Sequence, residues 1–349
     1  MKKKFGVIGF YGQSNFGDDL FCFVIAKLME ANGEDYFIQN GLIRTKHNIN
    51  VSKVPVFWRW NADTGLLGKL ARIASNLDAT LKAEKLIYGG GSVFGKYASF
   101  KQRELIRIAA KITNTKLYAF GVSLGPFKGE QDEKRYAKLL RCFKEILTRD
   151  KESFTFAMRN GLNAIDSCDM VWGLPSVYKK PNNASKKLLI CLHRPLSFKK
   201  LDNPEIFFRN FEEINILNLD KGSVALSKTL LSELNTIANI PVMVTNYFEE
   251  NIENSIDEFS TASFVVTSKL HGAITAAAFD VPFALLEYQP KCTQFVKSIN
   301  GYENFLNHGD ALIFMQNISK IFEFRRSIKF DAIRKSDMVQ KHFKEMLAR

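Results

Sequence analysis

Ser268-Lys269-Leu270-His271-Gly272 sets an imidazole, an ammonium, a hydroxyl and a glycine within five residues, where a hydrophobic run from Phe264 to Val266 gives way to the small helix formers Ala273, Ile274, Ala276, Ala277 and Ala278. Histidine titrates near neutrality and so supplies an acid or a base. The free amides of a helix start favour an anion, Lys269 adds a full positive charge beside them, and Gly272 lets the backbone come close to a ligand. The chemistry this set supports is proton transfer on an anionic substrate. An isolated Lys-Leu-His reads more readily as a buried histidine with both nitrogens satisfied beside a solvated lysine. The other glycine-rich junctions of the chain weigh against that plainer reading.

The first of these is Tyr11-Gly12-Gln13-Ser14-Asn15-Phe16-Gly17-Asp18-Asp19, which follows the apolar run Phe5 to Phe10. Asn15 or Asp18 can cap a helix beginning near Leu20, and Gly12 and Gly17 permit backbone approach to a ligand. The glycine spacing is not that of a dinucleotide fingerprint, and the carboxylates would repel a pyrophosphate. Asp18 suits a base toward a hydroxyl, or else a simple helix-start charge. A second junction, Tyr88-Gly89-Gly90-Gly91-Ser92, asks for positive φ or direct backbone contact. Phe120-Gly121-Val122-Ser123-Leu124-Gly125-Pro126 and Thr148-Arg149-Asp150-Lys151-Glu152-Ser153 are the third and fourth. Four such loops in one sheet predict a common edge lining a cleft. Further on, Arg194 leaves the strand Leu188 to Leu192, whose alternation points His193 the other way. Tyr288 and Lys291 come just past another strand.

The elements that must position these residues alternate almost throughout, strand-length apolar runs with helical patterns, which predicts an α/β fold with parallel sheets. Strands are expected near 5–9, 35–39, 84–88, 116–120 and 144–149, and helices near 18–31, 66–81, 99–112, 130–142 and 151–160. The polar, proline-containing stretch 179–187 reads as a linker, which sets a first domain at 1–180. A second series follows at 187–325, with strands near 188–192, 214–217, 240–244, 263–267 and 282–287 and helices at 224–238 and 270–279. A C-terminal helix, 326–349, packs back on one of them.

Composition limits the functional classes. With 349 residues, 46% hydrophobic and 24% charged, the chain can bury two cores. Five scattered cysteines without a C-x-x-C pair indicate neither a disulfide framework nor zinc, and fit a reducing cytoplasm. The basic start Met1-Lys2-Lys3-Lys4 precedes too short an apolar run for a signal peptide, and no stretch reaches the ~18 apolar residues of a membrane span. The net charge of +13 suits nucleic acid, an anionic membrane surface or anionic small substrates. Its lysines are spread along the chain with no zinc-finger spacing or RNP-type motif, which disfavours nucleic acid. Peripheral association with the inner face of an anionic membrane stays open.

In order, N-F-G-D-D, G-G-G-S, G-V-S-L-G-P, T-R-D-K-E-S, D-M-V, H-R-P and S-K-L-H-G-A-I, followed by Tyr288-Gln289-Pro290-Lys291, resemble the polysaccharide pyruvyltransferase family over roughly residues 5–300. The resemblance implies two Rossmann-like domains facing a cleft, as in GT-B glycosyltransferases, and transfer of a pyruvyl group from phosphoenolpyruvate to a sugar as a ketal. It implies that His271 is catalytic. The family commonly carries Arg where this chain has Lys269, which keeps the charge but loses the bidentate fork. On this footing Arg194 and Lys269 are expected to hold the donor, with Ser268, Gly272, Tyr288 and Lys291 in support, and Asp18 to activate an acceptor hydroxyl. Asn15, Gly17, Gly90, Gly91, Ser92, Ser123, Gly125 and Arg149 are expected on the acceptor side of the cleft. The acceptor would be a nucleotide- or lipid-linked sugar. No cofactor beyond phosphoenolpyruvate as co-substrate is expected, and no His/Cys/Asp cluster has metal-ligand spacing. The alternatives are a nucleotide-sugar glycosyltransferase on the same architecture, distinguished by which donor is consumed, and a non-catalytic basic polysaccharide- or nucleic-acid-binding protein, distinguished by salt-dependent binding without turnover.

Overall fold

Runs of apolar residues buried on both faces, the signature of strands covered by helices, build two all-parallel sheets in the computed structural model. It describes residues 2–39, 43–52, 65–182, 185–201, 203–287, 289–299, 306–307 and 325–349. The first sheet comprises β1 (Lys3–Ile8), β2 (Tyr36–Gln39), β3 (Val51–Ser52), β4 (Ala83–Phe94), β5 (Lys116–Leu124), β6 (Phe143–Thr148) and β7 (Ala164–Asp166). Its helices are α1 (Phe16–Ala31), α2 (Leu66–Lys82), α3 (Phe100–Thr113), α4 (Glu130–Leu140), α5 (Lys151–Arg159) and the single turn α6 (Leu174–Val177). The second sheet comprises β8 (Lys187–Cys191), β9 (Glu213–Asn218), β10 (Val242–Asn246), β11 (Phe264–Thr267), β12 (Phe283–Leu286) and β13 (Leu306–Asn307). With it go α7 (Pro204–Phe208), α8 (Val224–Ile237), α9 (Ile252–Thr261), α10 (Leu270–Ala278), α11 (Pro290–Lys297) and α12 (Arg325–Ala348).

Strand order is β3-β2-β1-β4-β5-β6-β7 in the first sheet and β10-β9-β8-β11-β12-β13 in the second. Both reverse direction beside their first strand, between β1 and β4 and between β8 and β11. Such a switch point opens a crevice at the carboxyl ends of the strands, where doubly wound sheets bind ligands. The loops carrying Asn15–Asp19, His193–Arg194 and Lys269–His271 all leave switch-point strands.

The two carboxyl edges meet at α1. Phe16 N donates to Leu219 O, just past β9, at 3.0 Å. The Phe16 ring packs against Tyr247 and Phe259, with centroids 5.3 and 5.5 Å away. One apolar cluster therefore runs from β1 and α1 into the second sheet. α12 crosses back over the first sheet, where the Phe120 and Phe343 rings meet at a tilt with centroids 4.9 Å apart and Lys85 donates to Leu347 O.

Three sequence expectations change. The Gly89–Ser92 run is not a loop after a short strand but the continuation of β4, with positive φ at Gly90 and Gly91 and a register shift between Gly91 and Phe94. A side chain at Gly90 would lie 2.4 Å from the Phe21 ring, so the glycines let α1 press on the strand. Likewise Gly121 to Leu124 extend β5. The first helix starts at Phe16, before Leu20, because Asn15 caps it by accepting a hydrogen bond from Gly17 N at 3.1 Å.

Candidate active site

His271 stands in the first turn of α10, 18% exposed, and leans on the backbone of Gly17: a Cβ there would fall 2.0 Å from Nδ1. Phe21 meets the imidazole edge-on at 4.8 Å. The other nitrogen, Nε2, is buried without a hydrogen-bond partner and lies 3.9 Å from Asp169 Oδ2. Burial holds the His271 pKa well below the usual histidine range, and the charges of Arg149, Lys291 and Lys269 push it the same way. The resting imidazole is neutral.

Arg149 is the hub of the first sheet's edge. Its Nε donates to Ser123 Oγ at 2.7 Å, Nη1 to Asp169 Oδ2 at 3.1 Å and Nη2 to Ser92 Oγ at 3.2 Å, and the guanidinium lies over Phe21. Ser123 Oγ in turn donates a hydrogen bond to Asp150, which caps α5. The serines of two glycine runs thus hold one arginine in place. Burial raises the pKa of Asp169 against the pull of Arg149, and burial lowers that of Lys291, with Arg149 adding to the effect. Asp18, beside Gly91, is pushed up to about 6 by burial despite Arg149 and Lys291. Its neighbour Asp19 accepts from Gly12 N and Tyr247 Oη at 2.6 and 2.7 Å, and burial raises it to about 7.

On the second sheet's edge Lys269 Nζ is paired with Asp220 and lies 2.9 Å from His193 Nδ1. His193 therefore turns toward Lys269, against the expectation from strand alternation. Arg194 is exposed, and its Nη1 reaches Glu287 O at 3.4 Å. Ser268 is buried and accepts from His193 N, fixing the strand-to-loop turn. Gly272 faces inward, where a Cβ would lie 2.7 Å from Thr267 Oγ1, so packing requires it. Gly125 donates to Phe94 O and supports the end of β4. Asn15 is exposed at its cap position, and Tyr288 lies outside the described residues.

The cations that act on His271 are therefore chiefly Arg149 and Lys291. Sequence reading passed over Asp169 and Asp220 as site residues, because their partners Arg149 and Lys269 are 20 and 49 positions away. Beside Asp169 opens a cavity of about 490 Å³ lined by Arg149, Lys291, Trp172, Ile274, Lys297 and Arg334 among others. Among the described residues no group of His, Cys, Asp and Glu is arranged to hold a metal ion.

Two doubly wound parallel sheets joined at their carboxyl edges, with a neutral histidine and several cations at the seam, define an α/β protein of the GT-B type. The fold is that of UDP-N-acetylglucosamine 2-epimerase from Rickettsia bellii, at a TM-score of 0.57 and 12% identity over 100% of this chain and 96% of that one. The Neisseria meningitidis epimerase, bound to UDP-GlcNAc, gives 0.56 and 12% over 100% of both chains, and the Methanocaldococcus jannaschii epimerase 0.54 and 11% over 91% and 92%. At these identities the likeness is one of fold alone. No curated protein matches the sequence. The polysaccharide pyruvyl transferase family model matches residues 15–290, and the chain belongs to that family.

Proposed function

We propose that this protein moves the pyruvyl group of phosphoenolpyruvate onto two hydroxyls of a sugar of a cell-surface polysaccharide or its precursor, forming a ketal. The observation that carries this reading is the buried, unpartnered Nε2 of His271 with Arg149 and Lys291 acting on it, in a chain of this family. The enol phosphate bears a carboxylate and a phosphate. Arg149 and Lys291 suit those anions, with Lys269 behind them, and bound anions would offset the share these cations add to burial in keeping His271 neutral.

The proton balance then closes. His271, protonated once the donor is bound, delivers a proton to the methylene carbon, and C2 becomes an oxocarbenium-like electrophile. A sugar hydroxyl adds to C2 and loses its proton to Asp18, whose raised pKa suits a base near neutrality. The C2–O bond to phosphate breaks, the second hydroxyl closes the ketal on C2 and its proton leaves with the phosphate, while the proton taken by Asp18 returns to His271 through solvent. One donor and one diol yield one ketal and one phosphate.

The experiment is incubation with phosphoenolpyruvate and a panel of nucleotide- and lipid-linked sugars, following phosphate release and a mass gain equal to a pyruvyl ketal. UDP-N-acetylglucosamine without phosphoenolpyruvate is the control arm, since the fold alone suits a nucleotide sugar. Consumption of that compound with phosphoenolpyruvate untouched would reverse the reading.

A further inference from the structure

α2 is built inside out. The residues it turns to the sheet are small, Gly68, Ala71, Ser75 and Ala79, all buried. Its outer stripe carries Leu66, Leu70 and Leu81, with Leu66 72% exposed, and Leu67 stands beside them. A surface helix ordinarily does the reverse. The neighbouring α3 repeats the arrangement, with Ile106 and Ala110 buried and Leu105, Ile108 and Ile112 exposed at i, i+3 and i+7, Ile112 to 79%. These two adjacent helices hold half of the exposed large hydrophobic side chains among the described residues. Scattered exposed leucines need no explanation, but two neighbouring outward stripes do.

Charge says what covers them. The same helices carry Lys69, Arg72, Lys82, Lys101, Arg107 and Lys111, against Asp78 and Glu104. Both acids are already spanned on their own helix, Asp78 by Lys82 and Glu104 by Arg107. A second copy of the chain would bring cations against cations. An anionic lipid surface complements both features at once, taking leucine and isoleucine among its acyl chains and lysine and arginine at its headgroups.

We infer that the α2–α3 face docks this protein on anionic membranes. No helix among the described residues is long and apolar enough to cross a bilayer, so the contact is interfacial. In a parallel α/β sheet the helix that follows a strand starts at the carboxyl edge. Leu66 and Leu67 therefore lie at the edge that carries the His271 site and Leu81 and Ile112 at the opposite edge, so the two helices lie flat on the lipid along their length. The inference stands whatever reaction the site performs.

The test is co-sedimentation of the full chain with vesicles of phosphatidylcholine alone and of phosphatidylcholine with phosphatidylglycerol. Binding is expected to the anionic vesicles only and to weaken as salt rises. The double variant Leu66→Glu/Leu70→Glu, and separately Ile112→Glu, should lose at least about tenfold in vesicle affinity, since each places a carboxylate where an apolar side chain entered the lipid. Their thermal midpoints should match the parent, because these side chains are exposed. Failure of the parent to bind anionic vesicles, equal binding to neutral vesicles, or undiminished binding by both variants overturns the inference. So does a concentration-dependent dimer of the parent that the variants abolish, because the occupant would then be a second copy.

Discussion

At the residue scale the proposed chemistry rests on His271, seated on Gly17, and on Asp18. His271→Gln keeps most of the volume but cannot deliver a proton, so turnover should fall roughly a hundredfold to ten-thousandfold. The thermal midpoint should stay nearly unchanged, because Nε2 has no partner to lose. A variant that unfolds while its folded fraction stays fully active would make His271 a packing residue. Gly17→Ala drives a methyl into the imidazole, and it should cost about 1–3 kcal/mol in urea unfolding and displace the ring, with a fall in turnover larger than the stability loss explains. Asp18, the proposed base, costs stability when ionised. Its folded pKa of about 6 lies above the unfolded value, so ionising it destabilises the native state. Asp18→Asn should therefore raise stability most above pH 6, with the gain shrinking as pH falls from 6 toward 4, while turnover drops. Equal midpoints for Asp18→Asn and the parent at pH 7.5 would contradict the burial argument.

Among the elements, sequence periodicity located β1, β2, β6, β8 and β11 and helices α1 to α5 to within a few residues, because apolar runs of strand length alternate there with helical patterns. It ended β4 too early, since glycine ordinarily punctuates strands. Here the glycines continue the strand as a bulge beneath Phe21. Gly90→Ala tests that account: both its φ and its contact with Phe21 forbid a methyl, and the variant should lose about 1–3 kcal/mol of unfolding free energy. An unchanged urea midpoint would mean the bulge is not built around the ring. The β-α-β reading also passed over α9, α11 and the three-residue β7. Most site loops were legible from glycine, serine and histidine at strand ends. What Ser92 and Ser123 do, holding Arg149, was not, because it depends on the order of β4, β5 and β6 in space.

For the whole molecule, the meeting of the two sheets decides whether the site exists. Asp19, Tyr247 and Phe16 join them, an arrangement no local pattern encodes because the partners are 228 positions apart. Tyr247→Phe leaves a buried Asp19 oxygen without its donor and should cost about 1–3 kcal/mol. The cost should be larger above pH 7, where Asp19 is ionised, than below it, because the Tyr247 hydrogen bond favours the charged carboxylate. An identical loss at pH 5 and pH 8 would contradict the assigned burial of that carboxylate. The central claim is that this assembled seam protonates an enol phosphate and hands its carbon to a sugar. Running the phosphoenolpyruvate reaction in deuterium oxide with a competent acceptor tests it most directly. The account predicts one phosphate released per ketal formed and one deuterium in the ketal methyl, both lost in His271→Gln. Intact phosphoenolpyruvate across the acceptor panel, or a product methyl without deuterium, would contradict it.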